Sequence, residues 1–156
     1  MLMYTNYLDS GFGLIEVTAD DEGINSVAFV EKMDIVKAVK GGNEVTEAAV
    51  TQLREYFMGE RKSFDLKINL DGTDFQKQVW QALPNVPYGE TITYSEIAEK
   101  LGNSKAVRAV SSAIAKNSFA VIVPCHRVVS KDGSTGSYAW GSERKNALIS
   151  FEKRNA

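Results

Sequence analysis

The sequence predicts an α+β protein in two parts: a strand-rich N-terminal α/β segment, then a mainly helical segment built around a helix-turn-helix. Three observations carry this. Up to about residue 70 the chain shows short extended stretches, period-two alternation and one helical repeat. From Thr73 onward apolar residues recur at helical spacing behind two capping boxes. Charge divides at the same place: residues 1–71 hold 7 Lys/Arg against 13 Asp/Glu, a balance of −6, and residues 72–156 hold 11 against 7, a balance of +4. A basic half joined to an acidic half points to an anionic partner for the C-terminal part, although surface solvation explains the same numbers.

Taken in order, Phe12–Val17 is extended in character, Asp20–Gly23 reads as a turn, and Ile24–Val30 as the returning strand of a hairpin. Val45, Ala49, Leu53 and Phe57 mark one helix face, and Gly59 stops the helix. Ser63–Leu70 alternates, with Phe64, Leu66, Ile68 and Leu70 on one side of a half-buried strand. Asn69–Gly72 is the expected linker, so the domains are 1–70 and 71–156. Thr73-Asp74-Phe75-Gln76 opens a helix that buries Phe75, Val79 and Leu83 and ends at Pro84. Thr93-Tyr94-Ser95-Glu96 opens a second helix, with Ile97 and Leu101 inward and Gly102 as its stop. Ser104 is the expected cap of a third, running to about Lys116 with Val107, Val110 and Ile114 inward. The last two helices with their tight turn describe a helix-turn-helix, a pattern that many helical hairpins share without touching DNA. Phe119–Val123 is a continuous apolar run, expected as a buried strand; residues 128–138, turning at Asp132-Gly133, are expected as a β-wing, and Ser142–Glu152 as a last helix.

With 156 residues and 44% hydrophobic content, the chain is long enough to pack a core without disulfides or metals. One cysteine excludes an internal disulfide, and one cysteine with one histidine cannot close a Cys/His zinc site, so no metal or cofactor is expected. The first residues, MLMYTNYLDS, carry neither a basic leader nor an apolar run, and no stretch approaches the ~18 apolar residues of a membrane span. A cytoplasmic, membrane-free protein is expected, in keeping with a free thiol.

The chemistry is concentrated in Pro124-Cys125-His126-Arg127-Val128, at the end of the apolar run. A thiolate is the nucleophilic form of cysteine, and a neighbouring base or positive charge favours it, which makes Cys125 beside His126 a candidate activated thiol. Glu152 is a candidate to orient the His. A buried structural cysteine explains the pair equally well.

This motif resembles the active-site motif of the O6-alkylguanine-DNA alkyltransferases, also known as methylated-DNA–protein-cysteine methyltransferases. The resemblance extends through Phe75-Gln76-x-x-Val79-Trp80-x-Ala82-Leu83, Pro87-Tyr88-Gly89-Glu90-Thr91, Tyr94-x-x-Ile97-Ala98 and Ala106-Val107-Arg108-Ala109-Val110, with Asn117 eight residues before the cysteine. It covers residues 73–152 almost continuously; the N-terminal part is similar in its strand-and-helix pattern, which the family uses as a ribonuclease-H-like domain.

The resemblance implies direct-reversal DNA repair: an irreversible, stoichiometric transfer of the alkyl group from O6-alkylguanine to Cys125, with O4-alkylthymine as a further candidate substrate. Cys125 is then the acceptor, His126 its base through a water, and Glu152 the group holding His126. Asn117 braces the recognition helix against the active-site turn. Tyr94 hydrogen-bonds the target base and crowds the adjacent phosphate. Arg108 fills the place of the extruded base, and Ala106, Ser104 and Arg127 lie at the DNA. Val128, Tyr138, Ala139, Trp140 and Lys145 line the substrate pocket, with backbone carbonyls near Cys125 and Val128 accepting from the guanine amino group. The implied partner is double-stranded DNA containing O6-alkylguanine, bound by a monomer with no obligate protein partner.

The chain departs from the family at Ser111-Ser112-Ala113-Ile114, where Gly and then Ala-Asn are usual. It departs again at Ser118, where Pro is usual, and at Tyr138-Ala139-Trp140-Gly141, where many members have Gly-Gly. It lacks the Cys-rich regulatory domain of the fused members, so a stand-alone repair protein is expected. A non-catalytic alkyltransferase-like damage binder is the alternative, and Cys125 argues against it. A Cys-His hydrolase has no need for Arg108, and a plain winged-helix regulator leaves Cys125-His126 unexplained.

Overall fold

The computed structural model describes residues 3–31 and 41–156, which form two compact units. The first comprises Met1–Leu70 with Ser118–Ile122; the second comprises Asp71–Asn117 with Val123–Ala156. The first unit thus recovers a five-residue segment from within the C-terminal half, which a single break near residue 70 does not anticipate.

In the first unit, β1 (Tyr4–Asp9), β2 (Leu14–Ala19) and β3 (Ile24–Val30) form an antiparallel sheet in sequence order. Ile15, Val17 and Ala19 of β2 and Ile24, Val27 and Phe29 of β3 are buried. The β2–β3 turn is fixed by Asp20, whose carboxylate accepts the Glu22 and Gly23 amides at 2.8 and 2.9 Å. Helix α1 (Glu44–Phe57) starts at an Asn43 capping box and packs on the sheet through Thr46, Ala49, Val50, Leu53 and Tyr56. The buried face is rotated slightly from the expected one: Val45 and Phe57 are only half-buried.

Ser63–Leu70 alternates in burial as expected, yet it is not a strand. Ile68 alone bridges Ile24, and the Gln52 side chain takes the backbone N–H and C=O of Asp65 at 2.9 and 3.0 Å. A side chain satisfies the groups that a neighbouring strand would otherwise need.

The second unit begins with α2 (Asp74–Ala82), capped by Thr73 and Gln76 as predicted, and runs into a 3-10 turn at Leu83–Asn85. Strand β4 (Ile92–Thr93) leads directly into α3 (Tyr94–Lys100), where Thr93 and Glu96 form the second capping box. Gly102, at φ +79°, turns the chain towards α4 (Val107–Ala115). Ser104 does not cap α4: it is exposed, the N-cap is Ala106, and no side-chain cap bond is made. Val110, Ala113 and Ile114 are buried, while Val107 and Leu101 are half-buried.

The Phe119–Val123 run is buried throughout but is not a strand. Only Phe119 bridges a strand, at Val27; the backbone then doubles back, with Ile122 N–H donating to the Ala120 carbonyl and Val121 at φ +69°. Residues 128–138 likewise form only half of the expected wing. β5 (Val128–Val129) pairs in parallel with β4, and the Asp132-Gly133 turn closes on Ser130 and Ser134 with no second strand among the described residues. The chain ends in α5 (Ser142–Asn155), about one turn longer than predicted.

The hydroxyl residues ahead of α3 and α4 separate a real cap from a nominal one. Thr93→Ala should cost about 1 kcal/mol in urea unfolding, whereas Ser104→Ala should stay within about 0.5 kcal/mol of the parent.

Candidate active site

The two-residue parallel pair β4–β5 sets the site. Ile92 pairs with Val128 and Thr93 with Val129, so the start of α3 lies beside the chain leaving the Cys-His-Arg turn. That turn is a 3-10 helix, Cys125–Arg127. It is entered through Pro124 at φ −79°, ψ 62°, an inverse γ-turn in which Cys125 N–H donates to the Val123 carbonyl at 2.7 Å. The same carbonyl accepts from the Asn117 side-chain amide at 3.1 Å. Cys125, His126 and Val128 are fully or almost fully buried.

Behind the turn stands Glu152 of α5. Its carboxylate lies 2.6 Å from His126 Nε2 and accepts twice from Arg127, from Nε at 2.8 Å and from Nη2 at 3.0 Å. Burial alone would raise the Glu152 carboxyl, but the hydrogen bonds and charges of His126 and Arg127 outweigh it and hold it at about 2. Burial pushes His126 below its ordinary 6.5, against the pull of Glu152. A neutral imidazole facing an ionised carboxylate must carry its proton on Nε2, which leaves a lone pair on Nδ1. Nδ1 has no hydrogen-bond partner among the described residues. The arrangement therefore presents a proton acceptor one residue from a thiol.

Burial drives the Cys125 thiol well above its ordinary range, while the Lys145 charge and an Asn117 hydrogen bond oppose it. At neutral pH the resting sulfur is a thiol, so reaction requires its proton to leave as the nucleophile attacks. Lys145 is itself lowered to about 8 by burial, partly offset by Cys125.

A second cluster faces the loop before α5. Tyr94 is buried, and its hydroxyl makes long contacts of 3.4 Å with the Ser137 carbonyl and with Lys145 Nζ, which donates to Ser137 at 2.9 Å. Gly136, at φ +78°, leaves the Tyr94 ring its space: a Cβ there would lie 2.5 Å from the hydroxyl oxygen. Tyr138 is buried with no partner for its hydroxyl among the described residues, and burial raises its pKa, with Cys125 adding to the effect. Trp140 is half-buried and meets Tyr138 edge-on at 5.3 Å, while Ala139 is exposed.

Of the residues expected at DNA, Arg108 and Ser104 are exposed on α4 and its approach, and Ala106 is half-buried. Arg127 departs from its expected place. It is buried, its guanidinium is taken up by Glu152 and by the Val86 carbonyl at 2.7 Å, and it lies 5.6 Å from the Tyr88 ring centroid. A buried charge needs such partners, and the signal is present in the sequence: an Arg directly after a buried Cys-His pair, with an acidic residue on the last helix. Tyr88 and the Val86 carbonyl join this network with no local sequence signal that marks them. No group of three or more His, Cys, Asp or Glu among the described residues is arranged to hold a metal, and none of their helices is long and apolar enough to cross a membrane.

Comparison with known proteins gives a consistent picture. The family model for the DNA-binding domain of 6-O-methylguanine DNA methyltransferase matches residues 74–154, and the model for the ribonuclease-like domain of the same proteins matches residues 3–70. The methylated-DNA–protein-cysteine methyltransferase of Methanosarcina acetivorans is 44% identical over 153 residues, covering 96% of this chain and 98% of its own length. The one from Mycolicibacterium paratuberculosis is 39% identical over 152 residues, covering 96% and 92%. The crystal structure of Mycobacterium tuberculosis O6-methylguanine methyltransferase superposes with a TM-score of 0.88 at 37% identity, covering 99% of this chain and 95% of the other. A Mycobacterium tuberculosis relative solved in complex with DNA gives 0.88 at 38% identity, covering 98% and 94%.

The Glu152 network carries two expected outcomes. Glu152→Gln leaves the Arg127 charge buried without its carboxylate and should cost about 3–5 kcal/mol in urea unfolding at pH 7. Acid should also destabilise the parent. His126 lies below 6.5 in the fold, so the unfolded chain takes up its proton first and stability falls as pH drops below about 6.5. The Glu152 contribution is complete above 4.5 and disappears as pH falls towards 2. A melting temperature unchanged between pH 7 and pH 4 contradicts this electrostatic reading.

Proposed function

The chain belongs to the 6-O-methylguanine DNA methyltransferase family, and from that membership we propose how its residues carry out direct-reversal DNA repair. The protein is a methylated-DNA–protein-cysteine methyltransferase that acts once per molecule. Cys125 is the acceptor. The observation that carries this reading is the buried Cys125 beside His126, whose Nε2 is held by Glu152 so that Nδ1 is left to accept a proton.

The step is a displacement at the alkyl carbon. Cys125 Sγ forms the C–S bond as the C–O6 bond breaks, and the departing electron pair goes to the guanine. The thiol proton passes to His126, directly or through a water, and the imidazolium so formed is stabilised by Glu152. The guanine regains a proton from the site, so atoms and charge balance and only the alkyl group changes hands. A thioether carries no good leaving group, which makes the transfer irreversible and the protein a stoichiometric reagent.

A base stacked in a duplex cannot reach a buried sulfur, so the target nucleotide must be flipped out. Arg108, exposed on α4, is suited to fill the vacated stack. Tyr94, at the head of α3 against Ser137 and Lys145, is suited to donate to the extruded base. Val128 and Tyr138–Trp140 line the pocket, and the Trp140 indole reduces the room for large alkyl groups. The partner is double-stranded DNA carrying O6-alkylguanine, bound by a monomer in the cytoplasm. The +4 balance of residues 72–156 supports a phosphate-facing surface with weak sequence preference.

Mass spectrometry after incubation with duplex DNA containing O6-methylguanine tests this reading. One methyl per protein on the peptide containing Cys125 is expected, and Cys125→Ser should gain none while still binding DNA. Transfer by Cys125→Ser would remove the acceptor assignment. Arg108→Ala should slow repair of the duplex far more than reaction with free O6-substituted guanine, because only the duplex requires unstacking, at a cost of a few kcal/mol. Equal slowing of both would give Arg108 a part in the chemistry.

A further inference from the structure

Helix α4 is poorly held by its own sequence. It has no side-chain N-cap and no basic residue in its last turn, and its terminal carbonyls lack the full set of helical donors. A side chain from another helix supplies one. Trp80 of α2 is almost completely buried, and its indole Nε1–H donates to the Ala113 carbonyl in the last turn of α4 at 2.9 Å. The ring sits tightly against the start of its own helix: a Cβ at Gly72 would lie 2.8 Å from it.

The residues after Ala113 connect this bond to the nucleophile. The Lys116 amide also donates to the Ala113 carbonyl, at 3.1 Å, and the Asn117 amide donates to that of Ile114 at 3.3 Å, closing the helix end. The Asn117 side chain then donates to Val123, whose carbonyl is also the acceptor for the Cys125 amide. The Asn117 side chain also opposes the burial that raises the Cys125 thiol, favouring its ionised form. A short series of hydrogen bonds thus runs from α2, across the end of α4, to the backbone of Cys125.

We propose that Trp80 is a positioning residue for the Cys125 nucleophile: its indole N–H anchors the end of α4 from which Asn117 holds the Cys125 turn. The proposal rests on Cys125 being the alkyl acceptor, and it assigns to that reaction a residue that acts through the end of α4. Replacing the indole by a phenyl ring keeps much of the bulk but leaves the Ala113 carbonyl with the Lys116 amide as its remaining donor outside the helix ladder. Asn117 then holds Val123 less firmly.

Single-turnover kinetics separates positioning from mere stability, because the amplitude of transfer counts folded molecules while the rate constant reports site geometry. Trp80→Phe is expected to keep the amplitude and to lower the rate constant with free O6-substituted guanine roughly two- to tenfold, the range that one net hydrogen bond supplies. In a double-mutant cycle it should add little to Asn117→Ala, since both act through one series of bonds. Hydrogen–deuterium exchange at the Cys125 amide, followed by NMR, needs no transfer at all and should be faster in Trp80→Phe. A lower amplitude or melting temperature with an unchanged rate constant would make Trp80 a packing residue only and overturn the proposal, as would unchanged Cys125 amide exchange or full additivity with Asn117→Ala. If the parent protein transfers nothing, the acceptor reading fails by itself, and the exchange measurement alone decides whether Trp80 holds the Cys125 turn.

Discussion

The Glu152 carboxylate is the group on which the C-terminal unit depends. It draws together three parts of the chain that are remote in sequence: the last helix, the Cys125–Arg127 turn, and, through the Arg127 guanidinium, the Val86 carbonyl. Burying a carboxylate is expensive, and its attraction to a buried guanidinium repays that cost only with good geometry and further hydrogen bonds. Here the geometry is bidentate, and His126 takes the remaining interaction. Removing either partner would leave an uncompensated buried charge, so the pair holds its surroundings to one arrangement. The arrangement it specifies is the orientation of the imidazole.

That orientation has a chemical consequence. With Nε2 facing Glu152, the only basic atom left on the ring is Nδ1, and it lies on the residue next to the thiol. Burial keeps the thiol protonated at rest, while Lys145 and Asn117 reduce the penalty for its ionisation. A permanently exposed thiolate would react with adventitious electrophiles and oxidants. A buried thiol with a base beside it gains nucleophilicity only as the proton moves. This suits a protein that has one acceptor and can use it once.

The helices are legible because their starts are written in short-range chemistry. The pairs Thr73/Gln76 and Thr93/Glu96 each satisfy two helix-end donors within four residues, so no tertiary information is needed to find them. Cys125, His126 and Glu152 are legible as a set through the family resemblance, and the structure brings His126 and Glu152 into contact. The segments that sequence misplaces are those whose backbone partners lie far away along the chain. The hydrophobicity of Phe119–Val123 correctly signals burial, but a buried strand and a buried turn share that signal. Ser63–Leu70 has strand periodicity, yet Gln52 takes the backbone groups of Asp65. The resemblance puts Arg127 at the DNA, and nothing local in the sequence argues otherwise, because its carboxylate partner is 25 residues away. The β4–β5 pair is equally hidden, since two residues per strand carry no period.

The transfer depends on the protonation of one ring, and the chain holds a single histidine. Uniform 15N labelling followed by NMR of the imidazole nitrogens therefore reads His126 without ambiguity. A neutral ring is expected at pH 7, with the proton on Nε2 and a bare Nδ1, and the same form should persist below the ordinary histidine value of 6.5 as long as the protein stays folded. A ring protonated on Nδ1, or an imidazolium at pH 7, would contradict this expectation, because neither leaves the lone pair that the Cys125 proton requires.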